Sequence, residues 1–262
     1  MIPGLYHVIA GDVNFRAGPT TDADVLGQLQ NGQHLDVSAS SPDGAWLQGS
    51  AQVFDADVTG WMAARFLVAD DATPGTDSGG GDTALSVTLA RLQKLAPGAD
   101  QAILAGIAAA FDGLAAEYDI TTTLRICHFL AQVAHESAGF RTLNEYGGPS
   151  YFAKYDGRKD LGNTQPGDGN RFHGRGLLQL TGRSNYARYG AILGVDLVGN
   201  PELAARPDIS LRIAMEYWKA RHLNDLADAD DCKGITRRVN GGYNGLSQRE
   251  AFLKKCMTIW GA

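Results

Sequence analysis

The sequence contains one stretch that decides the fold of its larger part, Leu124-Arg125-Ile126-Cys127-His128-Phe129-Leu130-Ala131-Gln132-Val133-Ala134-His135-Glu136-Ser137-Ala138-Gly139. Apolar side chains recur in it at intervals of three and four residues, the spacing of a helix with one buried face. They are Ile126, Phe129, Leu130 and Val133. Gly139 suits the left-handed residue that ends a helix. The stretch therefore predicts a buried helix that ends just before this glycine.

The same spacing continues through the rest of the carboxyl-terminal part. It predicts helices over residues 84–95, 101–117, 122–138, 185–193, 208–222 and 247–260. Together they indicate an α-rich domain of about 180 residues, large enough for its own core. Residues 147–176 differ, because they are rich in Gly, Asp, Asn and aromatic residues without a helical pattern. Loops of this length inside a compact domain are usually functional.

The amino-terminal part has a different pattern, in which short β-rich runs alternate with turn residues. The runs are Tyr6–Ala10, Val13–Arg16, Val25–Leu29, His34–Ser38, Trp46–Gly49 and Gly60–Ala63. Their spacing predicts a small barrel of roughly five to seven strands. Residues 70–83, rich in Gly, Ser, Asp and Pro, predict a flexible linker. The expected domains are therefore 1–69 and 84–262.

Charge separates the same two parts. Residues 1–84 carry two basic and eleven acidic side chains, whereas residues 85–262 carry a net charge of +3 within a chain of net charge −6. Such asymmetry supports two folding units, and it makes nucleic acid a poor partner for the acidic one.

No apolar run approaches the roughly 18 residues that a membrane span needs, so membrane insertion is not expected.

The spacing of the three cysteines does not resemble a zinc or redox site. Cys127, Cys232 and Cys256 are predicted to be buried thiols, with a disulfide between Cys232 and Cys256 as the alternative. Three aspartates lack the spacing of a calcium loop and are interpreted as solvated loop charges. They are Asp156, Asp160 and Asp168. No metal and no organic cofactor is expected.

Two glutamates are candidates for acid–base chemistry. Glu136 lies in the last turn of the predicted helix, where the negative end of the helix disfavours ionisation and would help a general acid to keep its proton. Cleavage of a glycosidic bond needs a second carboxyl group. Glu145 follows nine positions later, where the Gly-rich loop begins. By itself such a pair is weak evidence, because surface salt bridges explain most pairs of this kind.

Four motifs give the pair a context. They are His135-Glu136-Ser137, Phe172-His173-Gly174-Arg175-Gly176-Leu177-Leu178-Gln179-Leu180-Thr181, Asn185-Tyr186 and Val239-Asn240-Gly241-Gly242. In this order they resemble glycoside hydrolase family 19, the family of chitinases and related phage and bacterial endolysins, over roughly residues 85–262. The resemblance implies a lysozyme-like α-rich domain that cleaves β-1,4 bonds between N-acetylhexosamines with inversion.

The resemblance also implies residue roles. Glu136 matches the general acid, and Thr181 matches the hydroxyl that holds the attacking water. Residues expected to bind or line the sugar chain are His135, Tyr151, Gln179, Asn185 and Asn240. Arg175 is either a cation that shapes the cleft or the partner of a core carboxylate. Glu145 is the preferred general base, with Asp156 and Asp160 as alternatives.

The amino-terminal part has a resemblance of its own. Val13-Asn14-Phe15-Arg16-Ala17-Gly18-Pro19, followed by Gly60-Trp61-Met62, resembles a bacterial SH3-like domain. Such domains commonly bind cell-wall peptide or glycan, and a passive spacer is the alternative. The strong negative charge of this part is not what electrostatic docking on an anionic wall would favour.

Three features favour peptidoglycan over chitin as the substrate. The companion domain is of a wall-binding type, the catalytic domain is compact and poor in cysteine, and no Sec-type signal is visible at the amino terminus. We therefore predict a monomeric peptidoglycan hydrolase that is made in the cytoplasm and released to the wall through a holin or a secretion machine. A chitinase and a non-catalytic wall-binding protein are the alternatives.

Overall fold

A computed structural model describes residues 4–8, 13–30, 32–53, 56–69 and 85–261 of the protein. The chain divides into two compact units, Met1–Gly81 and Asp82–Ala262, each of which is described by itself. The linker predicted over 70–83 lies outside the described residues. Within the described part, no helix has both the length and the apolar character that a membrane span requires.

The first unit is a seven-stranded antiparallel sheet with the strand order β3-β2-β6-β5-β4-β1-β7. The strands are β1 (Gly4–Val8), β2 (Val13–Arg16), β3 (Val25–Leu29), β4 (His34–Ser40), β5 (Trp46–Val53), β6 (Ala56–Ala63) and β7 (Leu67–Ala69). Alternate residues of β5 are buried, as the two-residue period of a half-buried strand requires. Phe15, Leu35 and Met62 are among the fully buried side chains of its core. The predicted all-β unit is confirmed.

The two motifs of this unit meet in space. Strands β2 and β6 pair through Arg16 and Trp61, next to a register shift in β2. A Cβ atom at Gly60 would lie 2.8 Å from the carbonyl oxygen of Arg16, so a side chain there would push the strands apart. The guanidinium of Arg16 donates to the carbonyl oxygen of Ala23 at 2.7 Å and closes the turn between β2 and β3.

The second unit is built from helices. They are α1 (Leu89–Leu95), α2 (Gln101–Ala115), α3 (Thr123–Glu136), α4 (Pro149–Phe152), α5 (Asp168–Arg171), α6 (Arg183–Leu193), α7 (Pro207–Ala220), α8 (Leu223–Asp228), α9 (Cys232–Asn240) and α10 (Leu246–Trp260). All nine residues from Ile126 to Ala134 are buried, so α3 is the central helix, and α10 packs along it. Gly139 has a φ of 74°, as its predicted place after the helix requires.

Some elements differ from the prediction. The first helix begins at Leu89 rather than at 84, because the Thr88 hydroxyl accepts the Arg91 N–H and caps it there. Helices α8 and α9 were not predicted, since each is too short to repeat an apolar spacing. Residues 147–176 contain α4, α5 and two short 3-10 turns instead of one long loop.

The structure tests the sequence interpretations of the cysteines and of Asp168. All three cysteines are free and buried, so the alternative disulfide does not form. The interpretation of Asp168 as a solvated charge is wrong. Its buried carboxylate binds the Arg183 guanidinium through two hydrogen bonds of 2.5 and 3.0 Å, which join the start of α5 to the start of α6.

Candidate active site

A polar cleft of about 340 Å³ opens in the helical unit, beside the carboxyl-terminal end of α3. Its walls come from the turn before α6, from α6 and α7, and from the end of α9. It is lined by Glu136, Leu161, Leu178, Gln179, Leu180, Thr181, Asn185, Arg188, Tyr189, Ile213, Tyr217, Arg221, Val239 and Asn240. Five of the residues predicted for the site therefore meet in one cavity: Glu136, Gln179, Thr181, Asn185 and Asn240.

Glu136 is held by a buried arginine. Its side chain is 23% exposed, and Oε1 of its carboxyl group accepts a hydrogen bond from Arg249, whose side chain is fully buried. Arg249 also donates to Oε1 of Gln132 at 2.5 Å, one turn earlier on α3. Among the described residues, the hydrogen bond from Arg249 to Oε1 is the one that the Glu136 carboxyl group accepts. Oε2 therefore remains available to the cleft.

The sequence argument about Glu136 considered only the end of α3. In the structure the guanidinium of Arg249 also lies directly against the carboxyl group. Sequence reasoning missed Arg249, although a signal was present. It lies three and seven positions before Phe252 and Cys256, on the buried stripe of α10.

The turn from Gly174 to Thr181 forms the opposite wall of the cleft. Arg175 and Leu180 exchange backbone hydrogen bonds of 3.1 and 2.7 Å across the turn. Within this turn, Gln179 has a φ of 51° and therefore lies in the left-handed region of backbone conformation. The Thr181 hydroxyl donates to the carbonyl oxygen of Gln179 at 2.9 Å, so towards the cleft it can act only as an acceptor.

Glu145 is held as a carboxylate by three donors. Oε2 accepts from the backbone N–H of Gly174 at 2.9 Å, and Oε1 accepts from the Tyr155 hydroxyl at 2.9 Å and from Lys154 at 3.3 Å. Burial raises the pKa of Glu145, but these hydrogen bonds, the Gly174 bond first among them, outweigh it and lower the pKa below its usual value. The group is therefore ionised at neutral pH.

Lys154 is itself oriented by two aromatic rings. Its ammonium nitrogen lies 3.4 Å from the ring centroid of Tyr151 and 4.6 Å from that of Tyr155, both within the range of a cation–π contact. Tyr151, predicted to contact the sugar chain, is 48% exposed and does not line the cleft that contains Glu136. In the structure its contact with the site is through Lys154.

Gly174 lies between the side chains of Gln179 and Glu145. A Cβ atom at this position would lie 2.7 Å from Oε1 of Gln179 and 3.0 Å from Oε2 of Glu145. Both side chains therefore lie against the same glycine. Because Gln179 lines the cleft with Glu136, Glu145 lies next to this wall, although it is not itself one of the lining residues.

The remaining predicted residues have other places. Arg175 donates to the Tyr186 hydroxyl at 2.9 Å and to a backbone carbonyl, so within the described residues it shapes the turn rather than pairing with a carboxylate. Asp156 accepts from the Gly169 N–H at 2.7 Å, and Asp160 forms an exposed ion pair with Arg158. Neither aspartate lines the cleft.

His135 does not face this cleft, although it is the neighbour of Glu136 in the chain. Adjacent residues on a helix point about 100° apart. The His135 side chain instead lines a second cavity, between α10 and the turns that follow α1 and α3. Burial, and then the charge of Arg249, lower the pKa of His135 below its usual value.

Comparison with known proteins places these features in a family. Residues 99–234 match the glycoside hydrolase family 19 model described as chitinase class I, and residues 11–68 match the bacterial SH3 domain model. A glycosyl hydrolase family 19 domain-containing protein of Haemophilus influenzae is 34% identical over 150 residues, 46% of this chain and 72% of that protein. An endochitinase of Arabidopsis thaliana is 31% identical over 135 residues, 51% of this chain but only 45% of that protein.

The fold of the helical unit also has solved relatives. Chitinase C of Streptomyces griseus superposes with a TM-score of 0.58 at 22% identity, over 70% of this chain and 96% of that one. The predicted fold, an SH3-like β unit followed by a lysozyme-like α-rich unit, is confirmed. The family match covers 136 of the 262 residues and contains both Glu136 and the turn that holds Thr181. The chain is therefore a glycoside hydrolase and belongs to glycoside hydrolase family 19.

Proposed function

We propose that this protein hydrolyses the β-1,4 bonds of peptidoglycan by inverting acid–base catalysis. The observation that carries the proposal is the contrast between its two carboxyl groups. Glu136 offers one oxygen to a polar cleft, whereas Glu145 is held as a carboxylate by three donors on the bordering loop. Pairs of carboxyl groups in different environments are the usual basis of acid and base roles.

In the proposed reaction, Glu136 protonates the oxygen of the leaving sugar. Glu145 takes a proton from a water molecule that attacks the anomeric carbon from the opposite face. Thr181 is suited to hold that water, because its own hydrogen is already donated to Gln179 and only its lone pairs remain. A water that donates to Thr181 and to Glu145 has its lone pairs free for the attack.

Substrate contacts are proposed for the polar side chains of the cleft. Asn185 donates to the carbonyl oxygen of Thr181 at 2.7 Å, which leaves its amide oxygen able to accept from a sugar hydroxyl or an acetamido N–H. Asn240, the last residue of α9, also lines the cleft. Cleft residues that sequence reasoning did not select include Tyr217 and Arg221, whose guanidinium carbon lies 3.6 Å from the Tyr217 ring centroid.

The peptidoglycan part of the proposal is supported by the combination of units. A bacterial SH3 domain accompanies the family 19 unit, and we propose that it binds cell-wall peptide or glycan. Delivery through a holin or a secretion machine, and action as a monomer, remain predictions. Chitin is the second candidate, since the matched plant relatives are named endochitinases.

Substitution of each carboxyl group tests the catalytic assignment. Glu136→Gln and Glu145→Gln should each reduce the release of soluble fragments from purified sacculi by about 10²- to 10⁴-fold, the usual contribution of a positioned acid or base. Glu250→Gln, an exposed position on α10, is the matched control and should retain the wild-type rate. An unchanged rate in Glu136→Gln would contradict the assignment, and full activity of Glu145→Gln would transfer the base role elsewhere.

A substrate comparison tests the polymer. The same enzyme preparation is incubated with purified peptidoglycan and with colloidal chitin, and the products are identified by mass spectrometry. We expect muropeptides with a newly formed reducing end and a lower rate on chitin. Release of N-acetylglucosamine oligomers from chitin with intact sacculi would replace the proposed substrate by chitin.

A further inference from the structure

The helical unit has a second cavity that catalysis at the cleft does not use. It has a volume of about 450 Å³ and lies between α10 and the turns that follow α1 and α3. It is lined by Leu95, Ala96, Pro97, Gly98, His135, Ala138, Gly139, Arg141, Gln248, Ala251, Phe252 and Lys255. Because His135 and Glu136 are neighbours in α3, the cavity and the catalytic cleft share the last turn of one helix.

The lining of the cavity combines an apolar floor with a basic rim. Leu95 is buried and Phe252 is half-buried, while Arg141 and Lys255 are exposed. None of the described lining residues is acidic, and no ion pair in the described part of the chain involves Arg141 or Lys255. Asp100, which follows this turn, is already used as the cap of α2. The rim therefore favours an anionic ligand with small apolar groups.

His135 adds a polar group to this lining. Its ring packs against Gly245, where a Cβ atom would lie 2.1 Å from Cε1 of His135, so the ring fills the space that a side chain would need. Its Nδ1 atom is buried and has no hydrogen-bond partner among the described residues. Because this atom has almost no accessible surface, a ligand in the open cavity does not reach it, and the ligand contacts are assigned to the apolar floor and the basic rim.

We propose that this cavity binds the stem peptide of peptidoglycan. This inference rests on the proposed function. The stem carries carboxylates, which match Arg141 and Lys255. It also carries alanine methyl groups, which match the floor formed by Leu95, Ala96 and Phe252. Four extended residues reach about 13 Å, enough to pass from a sugar in the cleft around one helix turn. Chitin carries no peptide, so the cavity would select peptidoglycan.

Titration with a soluble stem tetrapeptide, L-alanyl-γ-D-glutamyl-diaminopimelyl-D-alanine, tests the site directly on the full chain. We expect saturable binding with NMR shifts of His135. The double variant Arg141→Ala/Lys255→Ala should weaken binding at least about tenfold, because it removes two charge-assisted contacts. Ala251→Trp, at an exposed lining position, should block binding by filling the cavity. Lys254→Ala is the matched control, since this exposed lysine is not part of the lining, and should bind as the wild type does.

Absence of saturable binding, or equal binding by the double variant and the wild type, would overturn the inference. So would displacement of the tetrapeptide from the cavity by an N-acetylglucosamine tetramer. In the rate assay, the double variant should lose activity on sacculi relative to its activity on N-acetylglucosamine oligomers. If the wild type leaves sacculi intact but binds the tetrapeptide, the proposed function fails while the binding site stands.

Discussion

Replacement of Arg249 by methionine tests the buried contact that holds Glu136. The guanidinium is fully buried and donates two hydrogen bonds, to Gln132 and to Glu136. Bonds to charged groups contribute roughly 1.5–3 kcal/mol each. Methionine retains the apolar volume of the stem and removes the desolvation cost of the charge, and the partly exposed Glu136 regains contact with water. We therefore expect a loss of about 2–4 kcal/mol in the free energy of unfolding.

Thermal unfolding of the helical unit measures this loss. For a unit of this size, each kcal/mol lowers Tm by about 2–4 °C, so a loss of about 3 kcal/mol corresponds to about 6–12 °C. Arg237→Met is the matched control, because Arg237 is exposed on α9, and its effect should stay within about 0.5 kcal/mol. Equal Tm values for the two variants would refute the view that Arg249 is needed to hold the site.

A double-mutant cycle separates the contact from the general cost of losing a buried arginine. In a Glu136→Gln background the acidic partner is already neutral, so Arg249→Met should cost about 1–3 kcal/mol less than in the wild type. Strictly additive losses would mean that the two side chains do not stabilise each other. The cycle thus tests the Arg249–Glu136 contact itself, apart from the contribution of Gln132.

Three further predictions concern the loops around the cleft. Lys154→Met removes a donor that lowers the pKa of Glu145, so this pKa rises and the acidic limb of the pH profile of kcat/KM shifts to higher pH. Gly174→Ala brings a methyl group to 3.0 Å from Oε2 of Glu145 and should reduce the hydrolysis rate by about 10²-fold in a sacculus assay, since it displaces that carboxylate. Asp168→Asn breaks a buried pair with Arg183 and should cost about 2–4 kcal/mol in urea unfolding at pH 7. The pKa of Asp168 is lowered, by Arg183 first, so the wild-type advantage is complete above the unfolded-state pKa near ~3.9 and shrinks as the pH falls below it.

Local patterns predicted the elements of the fold well. The three- and four-residue apolar spacing located α3 and α10 because both have one face in the core. Alternation and turn residues located β1 to β6 of the first unit for the same reason, whereas β7, with only three residues, was not predicted. Helices α8 and α9 escaped prediction because six and nine residues make too few turns for a spacing to repeat, and tertiary packing stabilises them instead.

Only those site residues that belong to the recognised sequence motifs could be predicted from the sequence. Glu136, Gln179 and Asn240 come from separate motifs and meet in one cleft. The contacts that define their chemistry join residues far apart in the sequence. Arg249 reaches Glu136 across 113 positions, and the N–H of Gly174 reaches Glu145 across 29. A spacing rule cannot find such pairs, because they depend on how complete helices and loops pack together.

The supports of the two carboxyl groups are independent of each other. Glu136 is held from inside the helical core by Arg249, whereas Glu145 and the hydroxyl of Thr181 both depend on the turn that begins at Gly174. A change in this turn therefore moves the proposed base and its water together and leaves the acid in place. In the proposed inverting mechanism the base must hold the water at a set distance from the anomeric carbon, so we expect this turn, rather than the α3 helix, to determine the geometry of water attack.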